Sequence, residues 1–307
     1  MLILEEIKPN LLPSTSLALG FFDGVHLGHQ RVIIDAVKRS KSIDAIATVV
    51  TFKNHPLKVL KGESPALITS LDKKLELFEE LGVQAAVLVD FSSELARMTA
   101  EDYLKSIIID SLHPRTITIG YNHNFGADKK GNDVLLKSLQ DKYNYELSVI
   151  APITIGNKVV SSSYVRELIL SGDTRTAAKL LGKPFSIQNT VVHGEKRGRI
   201  LGFPTANLVI PDDIIAPKTG VYSGMVNYEN EIYKAVINVG KRPTFGDLTQ
   251  DLIEVHIAEF NKDIYGKTIE VSFIEKIRDE RKFDSLDELK NQIQNDLNFV
   301  LNSELVF

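Results

Sequence analysis

Hydrophobic and polar positions follow two different patterns along the chain, and the change lies near Gly182. Before this point, short apolar runs alternate with stretches in which apolar residues recur every three or four positions. The runs predict buried strands, and the periodic stretches predict amphipathic helices. The predicted strands cover residues 17–19, 46–52, 83–89, 116–119 and 145–150, and the predicted helices begin after Gly28 and cover 70–81, 103–109, 134–142 and 161–170.

Strands and helices that alternate at this spacing predict a mostly parallel sheet with helices on both faces, which is a doubly wound α/β domain. Sheets of this kind bind their ligands at the carboxyl ends of the strands, where the loops to the following helices begin. The segments that directly follow the predicted strands are therefore the first places to look for chemistry.

After Gly182, consecutive apolar strands are separated by short turns such as Glu229-Asn230. This pattern predicts an antiparallel β-barrel. Its predicted strands cover residues 185–192, 220–228, 232–239, 252–260 and 268–277. A last amphipathic helix, over residues 286–301, is expected to pack on the barrel through Leu289, Ile293, Leu297 and Val300. The sequence thus predicts two domains, residues 1–182 and 183–307.

Composition narrows the class of protein. Of 307 residues, 43% are hydrophobic and 25% are charged, and the formal net charge of −4 argues against non-specific nucleic-acid binding. The lack of cysteine excludes disulfides, cysteine-ligated zinc and a thiolate nucleophile. The first residues do not form a secretory signal, and no apolar run approaches the roughly 20 residues that span a bilayer. We therefore expect a cytoplasmic protein with no membrane partner.

The clearest candidate site follows the first predicted strand. Gly20 and the Asp23-Gly24 pair break the strand, and a helix begins after Gly28, so that His26 and His29 lie one helical turn apart at a helix N-terminus. Free N–H groups and the helix dipole attract phosphate there, and Gly28 leaves room for a nucleotide. Two imidazoles can donate hydrogen bonds to a triphosphate that is attacked at its α-phosphorus. The alternatives are a helix start with two solvated histidines, or half of a metal site.

The whole stretch, Gly20-Phe-Phe-Asp-Gly-Val-His-Leu-Gly-His29, is more specific than the two histidines alone. It resembles the H-x-G-H signature of the nucleotidyltransferase superfamily. In its longer form, G-x-F-D-G-V-H-x-G-H, it is similar to the adenylyltransferase half of the bifunctional riboflavin kinase/FAD synthetases of bacteria. The resemblance implies a catalytic role for His26 and His29, and nucleotide binding by Gly20, Phe22, Asp23 and Gly28.

Two further segments resemble the same family. The turn Gly120-Tyr-Asn-His-Asn-Phe-Gly126 follows the fourth predicted strand, and the resemblance implies a nucleotide-contacting amide at Asn122. The segment Ser161-Ser-Ser-Tyr-Val-Arg166 opens a predicted helix, where hydroxyls cap the helix or, with an arginine one turn later, form a phosphate cradle. The chain departs from the family pattern at Val159, where an arginine is usual. The expected phosphate-binding residues here are Ser162, Ser163 and Arg166.

In the second half, the informative segment is His193-Gly-Glu-Lys-Arg-Gly-Arg-Ile-Leu-Gly-Phe-Pro-Thr-Ala-Asn207. Its glycines let backbone amides approach phosphates, and its arginines add positive charge. The Thr205 hydroxyl and the Asn207 carbonyl are hard oxygen ligands for Mg²⁺ bridging a nucleotide. A loop rich in glycine and arginine is by itself typical of a flexible basic turn, but with G-F-P-T-A-N it closely resembles the riboflavin kinase signature. The phosphate-binding candidates are Gly194, Arg197, Gly198, Arg199 and Gly202.

Glu254 lies in the apolar strand Leu252-Ile-Glu-Val-His-Ile257, on the face of Leu252 and His256. A single carboxylate in such a strand usually points to solvent. Because the matching glutamate is the general base of the riboflavin kinase family, the resemblance implies that Glu254 takes the proton from the terminal ribityl hydroxyl.

The resemblance as a whole implies a bifunctional enzyme. Its second domain would phosphorylate riboflavin to FMN with ATP and Mg²⁺, and its first would transfer AMP from ATP to FMN, giving FAD and pyrophosphate. A homo-oligomer is compatible with the sequence. Two alternatives stay open at this point: a riboflavin kinase whose other half is weakened or inactive at Val159, and a flavin-binding regulator without turnover. FAD formation from supplied FMN tests the first, and flavin binding without ATP consumption would mark the second.

Overall fold

The computed structural model describes residues 1–194, 198, 202–243 and 249–304. The chain forms two compact units. The first unit comprises Met1–Pro65 and Ser70–Ser161, and the second comprises Ala66–Thr69 and Ser162–Phe307. The chain crosses from the first unit to the second after Pro65, returns after Thr69 and crosses again after Ser161. The boundary that we predict between the two enzymatic domains, at residues 182 and 183, stays a prediction.

The first unit alternates strands and helices, as its hydrophobic pattern predicts. Its strands are β1 (Leu2–Leu4), β2 (Thr15–Leu19), β3 (Ile46–Phe52), β4 (Ala85–Val89), β5 (Pro114–Gly120), β6 (Glu146–Ile150) and a small hairpin of β7 (Thr154–Ile155) and β8 (Lys158–Val159). Its α-helices are α1 (Leu27–Ser42), α2 (Pro56–Lys61), α3 (Leu71–Glu80), α4 (Ser93–Arg97), α5 (Ala100–Tyr103), α6 (Asp110–Leu112), α7 (Asp133–Ser138) and α8 (Gln140–Tyr143). A π-helical segment, Leu104–Ile109, joins α5 to α6.

The six main strands form one parallel sheet in the order β1-β4-β3-β2-β5-β6. Neighbouring residues of β2 pack into different hydrophobic cores, because successive side chains of a strand point to opposite faces. Leu17 and Leu19 belong to one core and Ala18 to the other, which also contains Ile33 of α1. The prediction of a parallel sheet covered on both faces is confirmed.

This sheet order brings two loops to the same edge. Strands β2 and β5 are parallel neighbours, so their carboxyl ends, at Leu19 and Gly120, lie side by side. The turn that leads into α1 follows the first, and the segment 121–126 follows the second. The fold thus places the predicted histidine site and Asn122 at one edge of the sheet.

The second unit begins with α9 (Ser162–Ser171) and α10 (Thr174–Leu181) and continues as an antiparallel sheet. Its strands are β9 (Phe185–Thr190), β10 (Ala206–Val209), β11 (Gly220–Tyr228), β12 (Glu231–Pro243), β13 (Thr249–Ile257) and β14 (Thr268–Arg278), and α11 (Leu286–Asn302) ends the unit. The strand order is β10-β13-β12-β11-β14-β9. The two outer strands approach each other, since Asn189 Nδ2 donates a hydrogen bond to the Val209 carbonyl at 2.7 Å. The predicted barrel with a terminal helix is confirmed.

Helix α11 packs on the barrel through the face that its periodicity predicts. Val300 is fully buried against Val221 and Val236, and Leu297 packs beside them. The same face carries a buried carboxylate, Asp296, which pairs with Arg278 of β14. Within the described residues, no helix is long and apolar enough to cross a membrane.

Candidate active sites

The turn between β2 and α1 is sharp because several of its residues adopt left-handed backbone angles. Phe22 has φ 56°, Gly24 has φ 81° and Val25 has φ 42°. At Gly20, a Cβ atom would lie 2.8 Å from the Phe22 ring, so any side chain there would push the ring away. The turn therefore requires glycine at position 20 and tolerates strain at two larger residues.

His26 and His29 form one interlocked pair at the start of α1. The helix begins at Leu27, and His26 is its N-cap: the His26 Nδ1 accepts a hydrogen bond from the His29 backbone N–H at 3.3 Å. The two rings stack, with centroids 3.6 Å apart. Because Nδ1 is the acceptor, we assign the proton of neutral His26 to Nε2, which remains a donor.

Burial makes both imidazoles neutral. His26 is 5% exposed, and desolvation lowers its pKa to about 4. The pKa of His29 is also held well below its usual value, first by burial and then by the charges of His26 and Lys74. Among the described residues, no hydrogen-bond partner reaches the buried His29 Nδ1. At neutral pH the pair thus offers polarised N–H donors rather than fixed positive charges.

The residues around the pair keep its geometry. At Gly28, a Cβ atom would lie 3.1 Å from His26 Cε1, which is closer than the stacked ring comfortably allows. The Phe22 ring meets His29 edge-on at 5.3 Å and Phe78 at 5.8 Å. The Asp23 carboxyl is buried in the turn. Burial lowers the pKa of Lys74, and the charge of Asp23 offsets part of this lowering. The motif residues Gly20, Phe22, Asp23 and Gly28 are therefore brought together with both histidines.

Sequence reasoning missed Lys74. This lysine lies on the inner face of α3 and is 4% exposed. The available signal was its position: residues 71, 74, 75 and 78 follow helical spacing, so the lysine stands inside an apolar stripe. The pattern alone assigns a lysine to the solvent side, and only the structure shows it beneath the histidine turn.

Asn122 is exposed in the segment after β5, at the sheet edge that carries the histidine turn. Its carboxamide oxygen would lie 3.7 Å from a Cβ atom at Gly120. The next residue, His123, is half-buried, and desolvation of its imidazole lowers its pKa to about 4. The segment thus presents the asparagine outward while its histidine packs inward.

Ser162, Ser163 and Arg166 belong to the second compact unit. The two serines are the first residues of α9, as expected. The Arg166 Nε donates a hydrogen bond to the Ala66 carbonyl at 2.8 Å, which ties α9 to the short segment Ala66–Thr69 of the same unit. The phosphate-binding role of these three residues stays a prediction.

The second constellation forms a row across three barrel strands. Glu254 of β13 pairs with Asn207 of β10 on one side and with Asn238 of β12 on the other. Residues that pair directly across antiparallel strands lie on the same face, so these three polar side chains are neighbours. Ile253 and Val255, which flank Glu254, are fully buried on the opposite face. Sequence reasoning did not single out Asn238, whose buried Oδ1 has no hydrogen-bond partner among the described residues.

The glycines of the preceding loop pack tightly on the two predicted metal ligands. A Cβ atom at Gly194 would lie 2.4 Å from the Asn207 Nδ2, and one at Gly198 would lie 2.3 Å from the Phe203 carbonyl and 3.4 Å from the Thr205 hydroxyl. Gly202 has φ 88°, which favours glycine. The predicted phosphate-binding residues Arg197 and Arg199 lie outside the described residues.

The donor atoms suit a hard divalent cation. Thr205 offers a hydroxyl and Asn207, which is 5% exposed at the start of β10, offers a carboxamide oxygen. Both ligands are neutral oxygens, so the charge of a cation held there would be balanced by phosphate oxygens of a bound nucleotide. The site therefore fits a metal that arrives with its nucleotide.

Two sequence families match the two constellations. A family described as FAD synthetase matches residues 8–164, which include the histidine turn and Asn122. A family described as riboflavin kinase matches residues 181–303, which include the row of Asn207, Glu254 and Asn238. Members of families with this chemistry use a divalent metal together with ATP.

Several proteins that are similar to this chain over nearly its whole length have names that combine both activities. A protein of Bacillus subtilis (strain 168) named bifunctional riboflavin kinase/FMN adenylyltransferase is 37% identical over 286 residues, which cover 91% of this chain and 89% of that protein. A protein of Haemophilus influenzae with the same name is 34% identical over 289 residues, covering 94% of this chain and 93% of that protein.

The crystal structure of a protein with a different name shares the fold. It is described as a macrolide-efflux protein from Streptococcus pneumoniae, and it matches with a TM-score of 0.89 and 34% sequence identity over 99% of this chain and 100% of that one. The two matched families and the similarity to the double-named relatives extend over both compact units. The chain belongs to the family of bifunctional riboflavin kinase/FMN adenylyltransferases.

Proposed function

We propose that this chain makes FAD from riboflavin in two ATP-dependent steps, one in each half. The first step phosphorylates riboflavin to FMN, and the second transfers AMP from ATP to FMN and releases pyrophosphate. The observation that carries the proposal is the presence of two separate polar constellations, the histidine pair and the Asn207–Glu254–Asn238 row, each inside a segment that matches one of the two families. ATP and flavin nucleotides are cytoplasmic metabolites, so the proposed location is the cytoplasm.

Adenylyl transfer needs positioning and charge stabilisation rather than a covalent intermediate. A phosphate oxygen of FMN attacks the α-phosphorus of ATP, and the bond to the leaving pyrophosphate breaks. In our proposal the neutral His26 donates its Nε2 proton in a hydrogen bond to the phosphate oxygens, and His29 acts beside it. Gly28 leaves the helix N-terminus open to the nucleotide, and Asn122 contacts it from the neighbouring loop. Ser162, Ser163 and Arg166 are proposed to bind phosphate.

In the proposed kinase step, Glu254 is the general base. It takes the proton of the terminal ribityl hydroxyl as that oxygen attacks the γ-phosphorus of ATP, and ADP leaves. Thr205 and Asn207 are proposed to hold Mg²⁺, which neutralises phosphate charge when it is bound. The amides of Gly194, Gly198 and Gly202 and the side chains of Arg197 and Arg199 are proposed to contact the phosphates. The pairing of Glu254 with Asn207 across β13 and β10, which makes their side chains neighbours, supports this proposal.

The test separates the two activities in one protein. Purified protein is incubated with riboflavin, ATP and Mg²⁺, and the flavins are resolved by chromatography over time. We expect FMN first and FAD afterwards. FMN that accumulates without FAD would instead support a kinase whose adenylyltransferase half is inactive, and riboflavin that stays unchanged while binding tightly would support a regulator.

Paired variants assign the sites. Glu254→Gln should lower riboflavin phosphorylation by about 10²–10⁴-fold, the usual contribution of a general base, while FAD formation from supplied FMN continues. His29→Asn should lower FAD formation and leave phosphorylation unchanged. Each variant is the control for the other. A folded Glu254→Gln protein that has lost both activities would contradict the assignment of one site to each half.

A further inference from the structure

A buried ammonium lies beneath the histidine turn, and the mechanism above gives it no task. Lys74 is 4% exposed on the inner face of α3, beside Leu77 and Phe78. An ammonium group loses its hydration when it is buried, and this cost is large unless polar groups replace the water. Burial lowers the pKa of Lys74 to about 8. A lysine kept in such a position points to a specific use of its charge or its hydrogen bonds.

The groups that replace the water belong to the active-site turn. Lys74 Nζ donates hydrogen bonds to the Phe21 carbonyl at 3.2 Å and to the Thr51 hydroxyl at 3.4 Å. The Thr51 hydroxyl donates in turn to the same Phe21 carbonyl at 2.9 Å. The ammonium also lies 4.6 Å from the centre of the Phe21 ring, within cation–π range. Helix α3 and the end of β3 therefore both hold the backbone of the turn at Phe21.

The charge of Lys74 interacts with titratable groups on both sides of the turn. On the side of the turn, Asp23 faces the ammonium, and its carboxylate partly offsets the effect of burial by raising the pKa of Lys74. On the side of α1, His29 faces the ammonium. Burial lowers the pKa of His29 most, and the charge of Lys74 adds to this lowering. The β3 contact, Thr51, does not titrate, and the neighbouring Lys73 of α3 is engaged with Glu76 at 3.1 Å. Lys74 is thus coupled to a motif carboxylate and to a motif imidazole at once.

We propose that Lys74 is a positioning residue of the adenylyl-transfer site: its ammonium holds the Phe21 carbonyl and lies against the Phe21 ring, which fixes the turn that presents His26 and His29. The inference rests on the proposed adenylyltransferase function of this half. It adds a residue from α3, outside the histidine motif, on which the geometry of the motif depends.

The first experiment removes the ammonium and keeps the aliphatic stem. Lys74→Met should lower kcat for FAD formation from FMN at least about tenfold, since a hydrogen bond from a charged group is lost and the turn is released. Riboflavin phosphorylation by the same molecules should be unchanged and so reports the amount of active protein. Lys73→Met is the matched control on the same helix and should form FAD normally. If wild-type protein forms no FAD, the proposed function fails; if wild type and Lys74→Met form FAD equally, the role of Lys74 fails.

The second experiment distinguishes a charge effect from a loss of packing. In the wild type, FAD formation should decline as the pH rises through about 8, because the ammonium loses its proton there. Lys74→Arg stays charged, so it should retain activity with the alkaline decline moved to higher pH. In Lys74→Met the imidazole of His29, followed by NMR, should titrate at a higher pH than in the wild type. An unchanged His29 titration together with an unchanged alkaline decline in Lys74→Arg would overturn the proposal.

Chemical rescue provides a third variant. The chain contains no cysteine, so Lys74→Cys carries its single thiol. Alkylation of this thiol with 2-bromoethylamine in denaturant, followed by refolding, restores an ammonium of nearly the same reach. We expect FAD formation to return, with an alkaline decline at lower pH than in the wild type because the thioether makes the amine less basic. Alkylation with neutral iodoacetamide is the control, and equal recovery with both reagents would contradict the need for charge.

Discussion

At the scale of single residues, the stability of the first unit should depend on keeping His26 neutral. The pKa of His26 is about 4 in the folded chain and 6.5 in its ordinary state. Between these values the unfolded chain binds more protons than the folded one, so stability is complete above pH 6.5 and falls as the pH drops towards 4. The shift corresponds to about 3 kcal/mol.

Two measurements check this expectation. NMR titration should show that the His26 imidazole stays neutral down to about pH 4, and hydrogen exchange of the β2 amides should report the falling stability. His26→Asn is the control, because asparagine also caps helices but does not titrate. Its stability should depend less on pH between 6.5 and 4. An imidazole that titrates near 6.5 in the folded protein would show that burial does not desolvate it.

Sequence reasoning reaches some of these residues and not others, for physical reasons. His26 and His29 could be paired from their spacing at a predicted strand–helix junction, and the structure stacks them. Lys74 could not be assigned to this site. Its helical spacing places it in the apolar stripe of α3, but the partners that hold its ammonium come from β3 and the turn and are known only from the fold. Asn238 could not be placed beside Glu254 before the strand register was known.

At the scale of elements, the attachment of α11 depends on an ion pair. Arg278 of β14 contacts both carboxylate oxygens of Asp296, at 2.8–3.2 Å, and Asp296 is 3% exposed. Asp296→Asn should therefore destabilise the second unit by about 3 kcal/mol, since it leaves a largely buried guanidinium without its counter-charge. Denaturant unfolding, monitored through hydrogen exchange of the β11 and β14 amides, measures this loss of stability.

A matched substitution and a double variant test the cause. Asp287→Asn removes a carboxylate at the start of the same helix and should cost only a few tenths of a kcal/mol. The combination of Arg278→Met with Asp296→Leu should recover much of the stability, because a buried ion pair can be replaced by apolar residues. A double variant less stable than Asp296→Asn would show that packing, rather than the unpaired charge, determines the loss.

The elements themselves were largely predictable. Strand β3 and helix α3 have nearly the predicted bounds, because their patterns are long and regular. The helix predicted over residues 134–142 is two short helices that meet at Leu139. Strands β1 and β10 are only three and four residues long, and so short a run has no recognisable period. Their existence follows from pairing with β4 and β13.

At the scale of the whole molecule, the two proposed activities should complement each other between molecules. The histidine pair lies within the first compact unit, and the row of Asn207, Glu254 and Asn238 lies within the second. In a mixture of Glu254→Gln and His29→Asn proteins supplied with riboflavin, the second variant should make FMN and the first should convert it to FAD. Each variant alone should form little or no FAD.

The time course makes this prediction quantitative. Because FMN must cross the solution, FAD should appear after a lag that shortens as the concentration of Glu254→Gln protein is raised. Wild-type protein at the same total concentration is the reference. A mixture that accumulates FMN without FAD would show that FMN released from one molecule does not serve another.

The left-handed backbone at Phe22 and Val25 has a consequence for the thermodynamics of ligand binding. Such angles at residues other than glycine each cost on the order of 1–3 kcal/mol. Because both side chains are buried here, their packing in the folded chain offsets this cost. The turn that we propose to bind phosphate therefore has its shape before any nucleotide arrives. Binding then orders little backbone, so the affinity ranking of ATP, ADP and pyrophosphate should reflect direct contacts rather than the entropy of a closing loop.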